Sequence, residues 1–384
     1  MVTKQASLRK PKPFGKPIYI THPVLPDLSS LTKILEQIWK SGWLTNNGEQ
    51  HQLFEQNLKT KLRAPYVSVF NNGTTALMTA LQALRLSGEV ITTPFTFPAT
   101  VHVLAWNGIK PVFCDIDPVT MNIDTEKIES AITPTTTAIL PVHTFGYPCE
   151  VKGIQKIADL YGLRVVYDAA HVFGVEIDST PIGNFGDISM LSFHATKIFH
   201  TAEGGALVFK DANLKRRIEF LKNFGIKNEE EVVMPGINGK MNEIQAAIGN
   251  LVLNEVDNEI EKRRYLTAAY NENLKDVEGI TFNSLPENVK GNYGYFVIRI
   301  DKRKFGRSRD DVYGMFKDYN VFTRKYFYPL CSDFQCYKHL PSSSPTNLPV
   351  AQKVSREVLC LPLYGRLSVS DVEQICTILK SFRI

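Results

Sequence analysis

The 384-residue sequence predicts an α/β protein in which a large domain with a mostly parallel sheet precedes a smaller α+β domain. Short apolar runs alternate with helical patterns from residue 66 to residue 209, as in sheets that helices cover on both faces. The run over residues 165–171 ends in Asp168 and His171, which indicates a buried parallel strand with polar side chains at its carboxyl end. A long helical pattern over residues 242–271 then leads into mixed strands and helices.

Three parts of the chain are predicted from these patterns. Residues 1–22 form a flexible basic arm and lead-in, since Lys and Arg are frequent at its start. Residues 23–250 form the large domain, and residues 251–384 form the small domain, which begins within the long helix. A hydrophobic fraction of 43% supplies enough apolar surface for both cores.

The remaining elements follow from apolar spacing and turn residues. Short apolar runs predict further strands, over residues 66–70, 89–93, 110–115, 138–142, 295–300 and 321–323. Apolar residues at helical spacing predict helices, over residues 31–39, 54–62, 76–84, 101–106, 124–131, 155–161, 212–220, 309–318 and 369–382.

Composition excludes several classes of function. The net charge of +5 is concentrated near the start of the chain, so we expect small anionic ligands and no nucleic acid. No segment has the apolar length of a membrane helix and no signal peptide is recognised, so we expect a cytoplasmic protein without membrane contact. The six cysteines are widely spaced and lack histidine partners, which predicts reduced thiols and no metal site.

Lys197 is the candidate nucleophile. It follows a predicted strand and is flanked by Phe193, Ile198 and Phe199, while small residues follow at 203–206. A lysine after a strand is usually a solvated surface residue, but this context predicts an apolar pocket. Desolvation lowers the pKa of an amine and makes it reactive toward carbonyls, as a Schiff base requires.

Two further features point to a phosphorylated, planar ligand. Gly73 and Thr74 stand between a predicted strand and a helix, where free backbone N–H groups can bind phosphate, although most such sites are ordinary N-caps. Phe97 follows another strand and either stacks on a planar cofactor or belongs to the core. The sequence contains no Gly-x-Gly-x-x-Gly after a strand and no P-loop, which argues against a nicotinamide or flavin Rossmann domain.

Together these residues resemble the DegT/DnrJ/EryC1/StrS sugar aminotransferase family, from about Pro23 to the end of the chain. The resemblance implies the fold of type I pyridoxal 5′-phosphate (PLP) enzymes, with a seven-stranded type of sheet in the large domain. It also implies PLP as cofactor, L-glutamate as amino donor and a homodimer with shared active sites. Related sugar dehydratases carry His in place of Lys197, so the lysine favours transamination.

The resemblance also assigns a role to each candidate residue. The phosphate of PLP is bound by Gly73, Thr74 and Ser192 and by Asn238 of the partner subunit. The ring is held by Phe97, which stacks on it, by Asp168 at its nitrogen, by His171 near its hydroxyl and by Lys197, which forms the imine. The segment that closes over the nucleotide sugar supplies the substrate candidates Arg324, Tyr326 and Tyr328. The family's usual serine before Gly73 is Asn72 here, which puts one phosphate contact in doubt.

The stretch from Ser192 to Lys197 resembles members that act on 4-keto-6-deoxy nucleotide sugars. It implies a dTDP-4-keto-6-deoxyhexose as substrate and dTDP-4-amino-4,6-dideoxyglucose as product. The alternatives are amination at a C3 keto group, a different PLP reaction such as elimination, and a regulatory relative without turnover.

Overall fold

The computed structural model describes residues 11–384. Its β-strands are β1 (Tyr66–Phe70), β2 (Glu89–Thr92), β3 (Lys110–Phe113), β4 (Thr136–Leu140), β5 (Arg164–Asp168), β6 (Glu176–Ile177), β7 (Thr180–Pro181), β8 (Ile188–Ser192), β9 (Gly205–Phe209), β10 (Ile280–Thr281), β11 (Val289–Lys290), β12 (Phe296–Ile300) and β13 (Val358–Leu361).

The α-helices lie between these strands and at the two ends of the described chain. They are α1 (Leu28–Ser41), α2 (Glu49–Lys61), α3 (Gly73–Ala83), α4 (Pro98–Trp106), α5 (Thr125–Ile128), α6 (Val151–Tyr161), α7 (Ala212–Leu221), α8 (Glu243–Leu253), α9 (Val256–Leu274), α10 (Lys302–Phe305), α11 (Arg309–Lys317), α12 (Pro349–Glu357) and α13 (Val369–Ser381).

A seven-stranded sheet has the order β1-β9-β8-β5-β4-β2-β3. Strands β3, β2, β4, β5 and β8 run parallel to one another, whereas β9 is antiparallel to both β8 and β1. The prediction of a mostly parallel sheet is therefore confirmed. Because β9 runs against β8 and β1, these two strands point the same way, and the carboxyl ends of β1, β5 and β8 meet at one edge.

The sequence around β5 and α3 explains what that edge presents. Val165, Val166 and Tyr167 are almost fully buried, as expected for a central strand that is covered on both faces. Helix α3 follows β1 and begins behind Asn72, whose side chain accepts a hydrogen bond from the backbone N–H of Thr75 at 2.8 Å. Such an N-cap contributes about 1 kcal/mol to helix stability. The strand thus ends in a fixed turn at the start of α3.

The last third of the chain contains a second sheet, antiparallel, with the order β10-β12-β13. Its core includes Leu266 and Tyr270 of α9, Val312 and Phe316 of α11, and Ile375 of α13. The domain boundary at residue 250 stays a prediction. The single helix predicted over residues 242–271 is wrong in one respect, because α8 and α9 are separate helices.

The break between α8 and α9 has a local cause. The backbone N–H of Asn254 donates to Leu251 O, and that of Glu255 donates to Val252 O, so the turn tightens to three-residue spacing. Val252 and Val256 on either side are both buried. The chain bends so that both helices keep their apolar faces covered.

Two other expectations need correction. Residues 14–20 are not a free arm, because Phe14 is buried and Ile18 exchanges backbone hydrogen bonds with Asn320 and Phe322. The first ten residues of the predicted arm lie outside the described part of the chain. The predicted strand at 321–323 is reduced to one isolated bridge, between Val321 and Ile18, and a second bridge joins Arg324, just after it, to Cys360.

A cluster of aromatic side chains connects the large sheet with the last third of the chain. It lies beside the edge at which β1, β5 and β8 end. The ring centres of Phe95 and Phe327 are 5.5 Å apart, and those of Phe145 and Phe327 are also 5.5 Å apart with nearly parallel planes. Phe145 and Phe327 both stack with His171. The cluster therefore fixes His171 and Tyr326, the residue before Phe327, relative to the sheet.

Within residues 11–384, no helix combines the length and apolar character needed to cross a membrane.

Candidate active site

A cavity of about 250 Å³ opens at the carboxyl ends of β1, β5 and β8. Ligands in open α/β sheets bind at this edge. The predicted site residues that line the cavity are Gly73, Thr74, Phe97, Asp168, His171, Ser192, Lys197 and Tyr326. The structure thus brings together side chains that are far apart in the sequence.

One end of the cavity is shaped for a phosphate. A Cβ atom added at Gly205 of β9 would lie 2.7 Å from the backbone N of Gly73, so the strand and the helix start approach closely. Within residues 11–384, no protein acceptor is bound to the backbone N–H of Gly73 or Thr74. These donors, the positive end of α3 and the nearby Ser192 form a cradle for an anion. The Asn72 side chain caps α3, and Asn72 also lines the cavity.

Asp168 presents a buried carboxylate at the end of β5. Its side chain accepts hydrogen bonds from Thr100 Oγ1 at 2.7 Å and from the backbone N of Ala170 at 3.1 Å. Burial raises the pKa of Asp168 above its ordinary value, whereas these two donors and Lys197 act in the opposite direction. A cationic nitrogen placed in this cavity would complete the set of donors and stabilise the ionised carboxylate.

Lys197 projects into the same cavity from the turn after β8. Its Nζ donates a hydrogen bond to Tyr295 Oη at 3.2 Å. Desolvation lowers the pKa of Lys197 to about 8, although Asp168 and Tyr326 favour the charged form. More of this amine is neutral near pH 7 than for an exposed lysine, whose pKa is about 10.4. A neutral amine is the form that attacks carbonyls, and the role of Lys197 as nucleophile stays a prediction.

His171 is held as a neutral imidazole. Its Nδ1 accepts a hydrogen bond from the backbone N of Phe145 at 3.1 Å, which assigns the ring proton to Nε2. Burial, and to a lesser degree Lys197, lowers the pKa of His171 well below its ordinary value. The ring can therefore donate one hydrogen bond from Nε2 to an acceptor in the cavity.

Phe97 stands at the mouth of the cavity, directly before α4. It is 58% exposed, although large apolar side chains are usually covered in folded proteins. The core position considered for this residue is therefore excluded. A ring on the surface of a cavity is available to stack on a planar ligand.

The other candidates lie outside this cavity. Asn238 is exposed on the loop before α8, where its side chain accepts a hydrogen bond from Lys240 at 3.0 Å. Arg324 is exposed and pairs through its backbone with Cys360. Tyr328 is 51% exposed and packs on the guanidinium of Arg309. The roles given to these three residues stay predictions.

Two contributors to the site could not be assigned from sequence motifs. Thr100 supplies a hydrogen bond to Asp168, and its position one turn into α4 is the only local signal for it. Tyr295 comes from the end of the chain that carries the second sheet and is 98 positions away from Lys197. The segment before β12, which Asn292 ties to the loop after β5, brings it to the cavity.

Several known proteins are similar to this chain over most of its length. The family model described as DegT/DnrJ/EryC1/StrS aminotransferase matches residues 29–380. The chain is 48% identical over 367 residues to the dTDP-4-amino-4,6-dideoxy-D-glucose transaminase of Escherichia coli. This alignment covers 95% of this chain and 98% of the relative. The chain is 46% identical over 369 residues to the enzyme of the same name from Shigella dysenteriae, with 96% and 100% covered.

A solved structure, described as DesI in the presence of its TDP-sugar product, has a TM-score of 0.92. It shares 35% identity, and the alignment covers 97% of this chain and 94% of that one. On these grounds the chain belongs to the DegT/DnrJ/EryC1/StrS aminotransferase family.

Proposed function

We propose that this enzyme transfers the amino group of L-glutamate to the C4 keto group of a dTDP-4-keto-6-deoxyhexose, giving dTDP-4-amino-4,6-dideoxyglucose. One observation carries the proposal: Lys197, with a lowered pKa, shares a cavity with the buried carboxylate of Asp168 and with a phosphate cradle. The nucleotide sugar is chosen because two relatives at 46–48% identity are named for that product. A solved relative is described with a TDP-sugar product.

Enzymes of this family depend on PLP, and the residues present fit it. The free N–H groups of Gly73 and Thr74 and the side chain of Ser192 would hold the phosphate, and Phe97 would cover one face of the ring. When bound, PLP supplies an aldehyde that bonds to amines and a ring that accepts electrons from a neighbouring carbanion. His171 Nε2–H would donate to the ring hydroxyl.

Two residues would carry the chemistry. Asp168 would keep the ring nitrogen protonated, because a carboxylate buried beside a cation favours its charged form. Lys197 would hold the cofactor covalently between turnovers and, once its amine is released, take and return a proton at the α-carbon of the amino donor.

The substrate is tested with the purified holoenzyme, L-glutamate and a panel of 3-keto and 4-keto nucleotide sugars. We expect one amino sugar, identified by mass and NMR as the 4-amino-4,6-dideoxyglucose nucleotide. Amination of a 3-keto sugar alone would replace the C4 assignment with the C3 alternative. Turnover of none of the panel, by protein that binds PLP and reacts with glutamate, would contradict the proposed acceptor.

We also propose a homodimer whose two active sites share residues. Residues 223–238 fold back on themselves, with a backbone hydrogen bond from Phe224 N to Ile237 O and a bridge between Ile226 and Val232. These four apolar side chains are 36–67% exposed. Exposed apolar patches favour protein contacts. A second copy of the chain that covers this segment would place its own cavity beside Asn238 of the first copy. Six free thiols, five of them buried, support a reducing cytoplasmic location.

A hybrid dimer tests whether Asn238 acts across the interface. Lys197→Ala and Asn238→Asp are each expected to be inactive, the second because a carboxylate repels the cofactor phosphate. Co-expression with two affinity tags gives a hybrid in which one of two sites is intact, so we expect about half of the wild-type activity. A hybrid as inactive as its parents would place Asn238 in the site of its own chain.

A further inference from the structure

Tyr295 contacts the reacting amine from the side of the second sheet. Within residues 11–384, Tyr295 Oη is the hydrogen-bond partner of Lys197 Nζ, at 3.2 Å, and no carboxylate lies within ion-pair distance of that amine. The ring of Tyr295 also packs against His171, with ring centres 4.6 Å apart. The hydroxyl therefore sits beside two groups of the proposed cofactor site.

The backbone that carries Tyr295 is held on both sides. Asn292 Nδ2 donates to the backbone O of His171 at 2.9 Å and to that of Phe173 at 3.0 Å. Its Oδ1 accepts from the backbone N of Gly294 at 3.0 Å. Asn292 is 1% exposed, so these bonds are shielded from water. The segment is thus tied to the loop that presents His171.

A buried ion pair holds the same segment from helix α9. Arg263, which is 1% exposed, donates from Nη1 to the backbone O of Gly294 at 3.3 Å. Its Nε donates to Glu259 Oε1 at 2.6 Å, and the same oxygen accepts from the backbone N of Gly365 at 2.8 Å. A buried charge of this kind is costly unless its hydrogen bonds are made in a fixed geometry. Here the fixed geometry sets the direction of Tyr295.

We propose that Tyr295 is a further catalytic residue, whose hydroxyl holds the Lys197 amine in place in both of its protonation states, and that Arg263 and Asn292 position it. The inference rests on the proposed function of Lys197. A phenol hydroxyl accepts a hydrogen bond from the ammonium form and donates one to the lone pair of the neutral amine. Burial raises the pKa of Tyr295, so the hydroxyl keeps its proton throughout and only its hydrogen bond changes direction.

The charged and titratable groups that face Lys197 come from several elements. Asp168 and His171 follow β5, Tyr295 precedes β12, and Tyr326 lies near the cluster of Phe327. His194 and Glu203 also line the cavity, and His194 Nε2 lies 3.5 Å from Glu203 Oε1. Among these groups, Tyr295 alone has a hydrogen bond to Nζ within the described chain. Its removal leaves the buried ammonium without that partner.

The test is Tyr295→Phe, with Tyr293→Phe as a matched control in the same segment. The first measurement is the pH dependence of acetylation of Lys197 in the full-length, cofactor-free chain, followed by peptide mass spectrometry. Loss of a hydrogen bond from the ammonium should lower the midpoint of this titration by about one to two pH units. Tyr293 does not line the cavity, so its variant should keep the wild-type midpoint.

The second measurement is a single turnover of the holoenzyme with glutamate. A misplaced Lys197 amine should lower the rate constant by about 10- to 100-fold while the glutamate concentration at half-saturation stays within about twofold. Arg263→Lys, which keeps the charge but not the planar fork, should change both readouts in the same direction by a smaller amount.

A wild-type rate constant in Tyr295→Phe would overturn the catalytic role even if the titration midpoint moved. A wild-type midpoint would overturn the contact itself. The acetylation measurement uses no cofactor and no sugar, so it is independent of the proposed function. If Tyr295→Phe shifts the midpoint but the wild-type chain does not transaminate, the proposed function is rejected and the contact between Tyr295 and Lys197 stands.

Discussion

Lys197→Ala is expected to abolish transamination while PLP still binds. The phosphate cradle, Phe97 and Asp168 do not depend on this side chain, so the variant should retain cofactor through non-covalent contacts. It lacks both the covalent link and the general base, and the rate should fall by about 1,000-fold or more. The measurement is the steady-state rate with glutamate and the keto sugar, together with the PLP content of the folded protein after gel filtration under native conditions.

A matched lysine controls for the loss of a charge. Lys210 is exposed directly after β9, at the end of the strand away from Ser192, so Lys210→Ala should keep the wild-type rate. Turnover at the wild-type rate by Lys197→Ala would show that another group performs the proton transfer. Loss of bound PLP together with activity would mean that the cradle alone cannot hold the cofactor.

Asp168→Asn is expected to lower kcat by about 100- to 1,000-fold, by analogy with the removal of other buried electrostatic partners. Asparagine has nearly the same shape, and its oxygen can accept from the backbone N of Ala170 while its amide donates to Thr100 Oγ1, but it carries no negative charge. The variant therefore removes the charge at the ring nitrogen and little else. The measurement is kcat at saturating glutamate and keto sugar, with PLP occupancy determined from absorbance.

The control for this change is Asp159→Asn on the exposed face of α6, whose carboxylate only accepts a hydrogen bond from Gln155. We expect no change of kcat there. An unchanged kcat in Asp168→Asn with full PLP occupancy would contradict the proposed role of Asp168 at the ring nitrogen. The charge of that carboxylate would then matter for binding alone.

The central sheet and most of the cavity could be predicted from local patterns. Asp168 and Lys197 each follow a short apolar run, and parallel strands end at the same edge of a sheet, so their meeting follows from topology. The start of α3 was predictable for the same reason, since Gly73 follows a strand and precedes a helix. In each case the signal lies within a few residues of the functional side chain.

The features that were missed depend on packing between distant segments. Tyr295 reaches Lys197 because Asn292 and Arg263 hold its backbone, and none of these contacts has a local sequence signature. Residues 14–20 were expected to be part of an arm because their neighbours are basic, yet Phe14 fills a place in the core of the second sheet. Local composition does not report such a partner 300 residues away.

The sequence also could not show which of the substrate candidates lines the cavity. Tyr326 lines the cavity, because the aromatic cluster around Phe327 fixes its position, whereas Arg324 and Tyr328 two residues away on either side face outward. In a regular extended segment these three residues would share one face, so alternation along the chain does not predict their different directions. A contact across a dimer interface, as proposed for Asn238, leaves no signal in the packing of one chain.

The bond between PLP and Lys197 can be tested by borohydride reduction of the yellow holoenzyme followed by peptide mass spectrometry. We expect the colour to bleach and the reduced phosphopyridoxyl group to be found on Lys197, on the peptide that follows β8. Modification of a different lysine, or bleaching without any covalent label on the chain, would contradict this expectation.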